Sequence, residues 1–139
     1  MMINIVSIGR FRFASERALF CEYQKIIKNL ELEELPYSPE LTPAARRLQE
    51  AKSISNFANL SDSFIALDVS GEVISSSESI KKTKNYLVPD MQTTFIIGGP
   101  DGLDESIINR ASLVLSLGRI SWPHSLCRIL LVEQLKRYI

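Results

Sequence analysis

Short apolar runs alternate with helix-like segments along the whole chain, and this alternation restricts the fold more than any other feature of the sequence. The runs typical of β-strands cover residues 3–8, 30–35, 63–69, 93–97 and 113–117. The segments typical of helices run from a cap at Ser15 to about Leu30, from Thr42-Pro43 to about Ala58, and over 77–88, 104–111 and 125–139. Strands that alternate with helices predict an α/β fold with a mostly parallel five-stranded sheet and helices on both faces. The run at 30–35 alternates apolar and acidic residues, which is typical of an edge strand.

Size and charge narrow the classes of function. A chain of 139 residues, 45% of them hydrophobic, fits a single domain over 1–139. Its 16 basic and 16 acidic residues balance, so no overall positive field favours nucleic acid and any RNA binding must depend on local groups. The one histidine and two isolated cysteines make a metal site unexpected, and Cys21 and Cys127 are expected to be reduced and buried. With neither a signal-peptide pattern nor an apolar run of roughly 18 residues, a cytoplasmic location is expected.

Glycines stand at or near the ends of four of the five predicted strands. They are Gly9, Gly71, Gly98 with Gly99, and Gly118, where the third strand is expected to turn at Ser70-Gly71. One such glycine is often only a turn residue, but in a parallel sheet the carboxyl ends of the strands share one edge, where ligands bind. Glycine also lets a ligand approach the backbone closely. The pattern therefore predicts a small-molecule pocket at this edge.

The pocket lacks the residues that hold a nucleotide by its phosphates. Neither a GxGxxG nor a GxxxxGK[ST] motif occurs, and no lysine or arginine lies within 98–102. A ligand with an adenine, a ribose and an amino-acid end would suit main-chain groups flanked by apolar Leu67, Leu117, Ile120 and Trp122.

The last helical segment, 125–139, is apolar around nearly its whole circumference. Packing on the chain's own sheet covers one side, so the other side is expected to be covered by a second subunit. A homodimer is the simplest such arrangement, with Leu131 expected on the outer face.

Three motifs together resemble a known family. They are ALDVSG at 66–71, FIIGGPDGL at 95–103 and LSLGRISWPHSLCRILLVEQL at 115–135. In order and spacing they are similar to the RlmH family of SPOUT-class methyltransferases. The resemblance implies transfer of a methyl group from S-adenosylmethionine to N3 of a pseudouridine in large-subunit (23S) ribosomal RNA. It also implies a carboxy-terminal trefoil knot that holds the cofactor.

Carried over position by position, the resemblance implies a set of cofactor contacts. These are Leu67, Gly98, Leu117, Gly118, Arg119, Ile120, Ser121 and Trp122. In similar proteins such contacts are largely main-chain hydrogen bonds to the adenine together with apolar walls. This agrees with the pocket expected from the glycines.

The chemistry requires loss of the weakly acidic N3 proton, which a nearby base assists. His124, the single histidine, stands at the expected pocket mouth and is either that base or a structural residue at the start of the helix. Arg128, one turn later, binds either an RNA phosphate or a carboxylate of its own core. Arg10 is a second candidate for RNA contact, and Asp68 is expected to pair with a helix terminus.

The family differs from this chain beyond the last helix. Its members normally continue into a short tail ending in a Pro-Tyr-His-Arg-like motif near the target base, whereas this chain ends at Ile139. An alternative to the active methyltransferase is therefore a truncated, catalytically silent homologue that binds cofactor or ribosome as a dimer. A third possibility is an unrelated α/β module that binds a small molecule.

Overall fold

Strands and helices alternate through the part of the chain that the structure, a computed structural model, describes: residues 1–58, 63–120 and 122–139. The strands are β1 Met2–Ile8, β2 Leu30–Leu35, β3 Phe64–Val73, β4 Gln92–Ile97 and β5 Leu113–Ser116. The helices are α1 Ala14–Ile26, α2 Pro43–Phe57, α3 Ser77–Lys84, α4 Glu105–Arg110 and α5 His124–Tyr138. All five predicted strands are present, in the predicted order along the chain.

The five strands form one sheet in the order β2-β1-β4-β3-β5, and each neighbouring pair is parallel. The predicted α/β fold with a parallel sheet is therefore confirmed. β2, with its alternating apolar and acidic residues, lies at one edge as predicted. The carboxyl ends of β1, β4, β3 and β5 consequently lie along one side of the molecule.

Buried apolar side chains cover both faces of the sheet. On one face, residues of α1 and α5 pack on β1, β3, β4 and β5, and Phe95 and Leu115 lie at the centre of this core. On the other face, Ala51 and Ile54 of α2 and Ile107 of α4 pack on Val6 and neighbouring strand residues. Helices on both faces are what a parallel sheet requires, because its strands must be buried on both sides.

Several element ends differ from the sequence-based expectation. Ser15 does not cap α1; the helix starts at Ala14, and Glu16 Oε1 accepts a hydrogen bond from the main-chain N–H of Phe13 at 3.0 Å. The helix ends at Ile26 rather than Leu30, because Asn29 adopts a left-handed conformation (φ 60°) before β2. α3 ends at Lys84, four residues before the predicted stop. Thr42 caps α2 as predicted, its Oγ1 accepting from Ala45 N at 3.1 Å.

β3 does not turn at Gly71 but continues to Val73. Its pairing with β5 shifts between Leu67 and Glu72, and a Cβ at Gly71 would lie 2.6 Å from the backbone of Val114. Gly71 is therefore required where β3 crosses closely over β5. The expectation that this glycine ends its strand at the pocket edge is wrong.

Less of the α5 surface is left uncovered than the sequence indicates, because the chain's own α1 packs against α5. The Tyr23 hydroxyl donates to Glu133 and the Ser125 hydroxyl to Glu16, joining the two helices. Leu131 is 0% exposed and belongs to the core, so its expected position on the outer face is wrong. Among the apolar residues of α5, half-buried ones such as Leu126 and Leu130 remain available for contact with a second subunit.

Cys21 is exposed and Cys127 half-buried, so the expected burial of both thiols is wrong. Within the described residues, no helix is both long and apolar enough to cross a membrane, and no cluster of three or more His, Cys, Asp or Glu side chains could bind a metal ion. The trefoil knot implied by the resemblance stays a prediction.

Candidate functional site

A cavity of about 400 Å³ lies beyond the carboxyl ends of β4 and β5 and beside the middle of β3. Its lining includes six of the eight residues expected to contact the cofactor: Leu67, Gly98, Leu117, Arg119, Ile120 and Trp122. His124 also lines it. Gly118 is not in the lining, and Ser121 lies outside the described residues. The parallel sheet thus brings together residues that are more than fifty positions apart in the sequence.

One wall of the cavity is the loop Gly98–Gly102 after β4. Its backbone folds back on itself, with Gly102 N donating to Gly99 O at 2.9 Å. A Cβ at Gly98 would lie 2.8 Å from the carbonyl carbon and oxygen of Gly102. Glycine is therefore needed at 98 by the loop itself. A valine at this position would distort the loop whether or not a ligand contacts it, so the variant does not report on cofactor contact alone.

Arg46 of α2 holds this loop from outside the cavity. Its Nε and Nη2 donate to the two carboxylate oxygens of Asp101 at 2.7 and 3.2 Å, and its Nη1 donates to Glu40 O at 3.1 Å. The hydrogen bonds from Arg46 hold the pKa of Asp101 below its usual value. Such two-point pairing fixes geometry as well as charge. The sequence contains no signal for this pair, since the arginines of α2 resemble an ordinary solvated helix face.

Another wall of the cavity is formed by residues of the connection from β5 to α5. Gly118 has a φ of 102°, a left-handed conformation that glycine adopts without strain, and its N–H donates to Ser116 Oγ at 3.1 Å. The Trp122 indole N–H donates to Leu117 O at 3.2 Å. These bonds shape the connection so that Ile120, 68% exposed, and Trp122, 39% exposed, present apolar surface beside the cavity.

His124 is the first residue of α5 and is half-buried at the cavity. Burial lowers the pKa of its imidazole, the nearby charge of Arg128 lowers it further, and Glu16 acts in the opposite direction. The imidazole is therefore neutral at pH 7 and carries a lone pair that can accept a proton. Its nitrogens make no hydrogen bond to any residue within 1–58, 63–120 or 122–139.

Arg128 occupies the second of its two expected positions, against a carboxylate of the core. Its side chain is 0% exposed, and its Nη1 donates to Glu34 Oε2 at 2.7 Å while its Nη2 donates to Gly9 O at 2.7 Å. The guanidinium also lies 4.8 Å from the ring centroid of Phe11. A group with no exposed surface is not available to an RNA phosphate in this conformation. The expectation of RNA contact at Arg128 is corrected accordingly.

The remaining polar candidates lie around the cavity. Asp68 lines it but does not pair with a helix terminus; its carboxylate accepts from Ser70 N at 3.0 Å and from Ser70 Oγ at 2.5 Å. Arg10 follows β1 and is exposed, and Arg119 is exposed at the cavity itself. Both arginines are therefore accessible to a phosphate backbone.

A second cavity, about 520 Å³ in volume, lies toward the amino ends of β3 and β4. Phe57, Ser63 and Thr94 are among its lining residues, and none of the expected site residues lines it. Ligands of parallel α/β sheets bind beyond the opposite ends of the strands, which favours the first cavity as the functional site.

Known proteins resemble this chain along nearly its whole length. A family model described as "Predicted SPOUT methyltransferase" matches residues 1–139. A ribosomal RNA large subunit methyltransferase H from Francisella philomiragia is 37% identical, over 99% of this chain and 92% of the relative. The protein of the same name from Bartonella tribocorum is 35% identical, over 100% of this chain and 93% of the relative.

Among solved structures, the crystal structure of a tRNA (m1G37) methyltransferase from Aquifex aeolicus resembles the chain with a TM-score of 0.55. The similarity covers 99% of this chain and 70% of that protein at 13% sequence identity. At this identity the similarity supports the fold alone.

Proposed function

Because the chain belongs to the SPOUT methyltransferase family, we propose that it transfers a methyl group from S-adenosylmethionine to N3 of a pseudouridine in large-subunit ribosomal RNA. The observation that carries the proposal is that six of the expected cofactor residues line one cavity together with the only histidine of the chain. The names of the relatives support ribosomal RNA as the substrate. The position on the RNA rests on the resemblance of the sequence motifs.

The cavity suits S-adenosylmethionine in size and in chemistry. Its volume of about 400 Å³ lies in the range typical of small-molecule sites. Leu67, Ile97 and Leu117 supply apolar walls, and Gly98 and Gly99 in the lining carry no side chain that would separate their main-chain groups from a ligand. When bound, the cofactor supplies an electrophilic methyl group on a positively charged sulfur.

The protein's own groups would act on the RNA. The neutral imidazole of His124 accepts the N3 proton of the target base, which turns the imide nitrogen into a nucleophile. Arg119 at the cavity and Arg10 beyond β1 neutralise phosphates and hold the RNA in register. Positioning of the target pseudouridine against the methyl group then supplies much of the remaining acceleration. An enzyme of ribosomal RNA acts where ribosomes are, so the proposal includes the cytoplasmic location expected from the sequence.

Two measurements together test the proposed function. Intact ribosomes that lack the modification are incubated with the protein and methyl-labelled S-adenosylmethionine, and calorimetry measures cofactor binding separately. Label in the large-subunit RNA, located at N3 of a pseudouridine by mass spectrometry, is the expected result. Binding without transfer would instead favour the silent homologue, and the absence of both would contradict the proposed cofactor site.

Replacing Arg46 with glutamine is expected to weaken cofactor binding without unfolding the chain. The substitution removes the pair of hydrogen bonds that holds Asp101, so the Gly98–Gly102 loop loses its support from α2. We expect the Kd for S-adenosylmethionine to rise about 3- to 10-fold, as for a partly buried ion pair worth roughly 1 kcal/mol. Calorimetry measures the change. Lys52→Gln, an exposed position on the same helix, is the matched control, and an unchanged Kd in Arg46→Gln would contradict the role of the pair.

The proposal also includes a homodimer. Leu126 and Leu130 are half-buried and four residues apart on α5, so they lie on one side of the helix. Replacing Leu130 with aspartate is expected to convert the dimer into a monomer in sedimentation, because an unpaired carboxylate is costly to bury in an apolar contact. Leu41→Asp, on a highly exposed leucine of the β2–α2 connection, is the control. A dimer that survives Leu130→Asp would show that another surface is used.

A further inference from the structure

Tyr37, an aromatic residue without a role in the proposed mechanism, lies next to His124, the proposed general base. Tyr37 follows β2, and its ring extends over the carboxyl ends of two other strands. A Cβ at Gly9, after β1, would lie 2.3 Å from Tyr37 Cζ, and a Cβ at Gly99, after β4, would lie 3.4 Å from Tyr37 Cδ1. The ring therefore lies directly on the backbone of Gly9 and beside Gly99, which lines the cavity.

The backbone that carries Tyr37 is anchored on both sides. Ser38 N donates to Glu50 Oε2 at 2.9 Å, and Gly9 N donates to Leu35 O at 2.6 Å. Glu50 is a nearly buried residue of α2, 5% exposed. Burial raises the pKa of its carboxyl, while the hydrogen bond from Ser38 stabilises the charged form. Tyr37 is thus held by the ends of β1 and β2 and by α2.

The ring of Tyr37 contacts the ring of His124. The two rings meet edge to face, with centroids 5.3 Å apart and planes at 85°. His124 makes no hydrogen bond to any residue of the described ranges, so no polar contact there determines how its ring is turned. The edge-to-face contact with Tyr37 is an interaction of the imidazole that favours a particular ring orientation.

We propose that Tyr37 is a positioning residue that orients the imidazole of His124 toward the cavity while leaving both ring nitrogens free for the substrate. The inference rests on the proposed function, because it assigns to Tyr37 a role in the same reaction. A hydrogen bond would also orient the ring, but it would occupy one nitrogen. The aromatic edge contact orients the ring without that cost. The phenol hydroxyl is not needed for this contact, so a phenylalanine at 37 should replace the tyrosine.

The test compares Tyr37→Ala with Tyr37→Phe. Tyr37→Ala is expected to lower kcat about 2- to 10-fold, the effect of losing one edge-to-face ring contact, with KM for S-adenosylmethionine unchanged. Tyr37→Phe is expected to retain wild-type kcat. Leu41→Ala, in the same connection and almost fully exposed, is the matched control for changes in the loop.

NMR provides a readout that does not depend on activity. His124 is the only histidine, so its carbon-bound ring protons give one assignable set of signals. The Tyr37 ring shifts these signals, and we expect the shift to be retained in Tyr37→Phe and lost in Tyr37→Ala. Signals that do not move in Tyr37→Ala would overturn the proposed contact.

Kinetic outcomes separate this inference from the proposed function. If the wild-type protein transfers no methyl group, the proposed function fails. If the wild type is active and Tyr37→Ala keeps full kcat, the role of Tyr37 fails alone. A selective rise in KM for ribosomes would overturn it in favour of direct RNA contact by Tyr37. Equal losses in Tyr37→Phe and Tyr37→Ala would overturn it in favour of chemistry at the hydroxyl.

Discussion

Replacing Arg128 with methionine is expected to destabilise the chain by about 2–3 kcal/mol, less than when a buried charge loses its last partner, because Glu34 keeps Arg17. The guanidinium connects the start of α5 with the ends of two strands, through Glu34 near the end of β2 and the carbonyl of Gly9 after β1. Methionine fills similar space but leaves the Glu34 carboxylate with one cation fewer and the carbonyl of Gly9 without this donor. Urea unfolding measures the change in free energy.

Arg17→Met is the matched control for Arg128→Met. Arg17 donates to the other oxygen of the same carboxylate at 2.6 Å, but its own side chain is 53% exposed. An ion pair with an exposed arginine contributes about 0–1 kcal/mol, so this variant should unfold close to the wild type. Equal losses of stability in the two variants would contradict the assignment of the buried pair as the stabilising one.

The effect of Arg128→Met should also depend on pH. Burial acts to raise the pKa of Glu34, but hydrogen bonds from Arg17 and Phe11 together with the charge of Arg128 outweigh it, and the net pKa is lowered. A carboxyl with a lowered pKa stabilises the folded state above its ordinary value and loses that contribution as the pH falls through the lowered value. The difference between wild type and Arg128→Met should therefore be largest near neutrality and shrink in acid below the ordinary pKa of about 4.5.

The strands of this chain are predictable from sequence because the apolar runs are short and bounded by turn residues, although β3 continues through Gly71 to Val73. The helix ends are less predictable, since they depend on contacts outside the local pattern. Ser15 has the usual chemistry of a cap, yet α1 starts earlier because Glu16 binds both the backbone before the helix and Ser125 of α5. The burial of Arg128 likewise depends on Glu34, 94 positions away.

The site was partly predictable for a related reason. Parallel strands point the same way, so residues in the second half of β3 and residues that follow β4 and β5 come together, and six of the expected cofactor residues do line one cavity. Arg46 and Tyr37 were not predicted because each acts through a tertiary contact, with Asp101 and His124 respectively. Neither contact produces a periodicity or a motif. The glycines were weaker evidence for a ligand site, because Gly98 is required by the conformation of its own loop.

Replacing His124 with asparagine is expected to lower kcat for methyl transfer about 10²- to 10⁴-fold, the usual contribution of a general base. Asparagine is polar and similar in size but does not accept a proton at neutral pH. The fold should persist, because the imidazole makes no hydrogen bond to the described residues. Calorimetry should show cofactor binding close to that of the wild type. Lys84→Gln, an exposed position on α3, is the control.

The pH profile decides whether the loss in His124→Asn reflects base catalysis or only a disturbed site. Burial lowers the pKa of His124 from its usual 6.5, so the base is in its active, neutral form at pH 7 and is lost as the pH falls through the lowered value. Wild-type kcat/KM should therefore decline only on the acid side, below pH 6.5. In His124→Asn this decline should disappear. A variant that keeps the same acid decline, or that loses less than about 5-fold in kcat, would show that the N3 proton leaves to another group. His124 would then be the structural residue that its position at the start of α5 also allows.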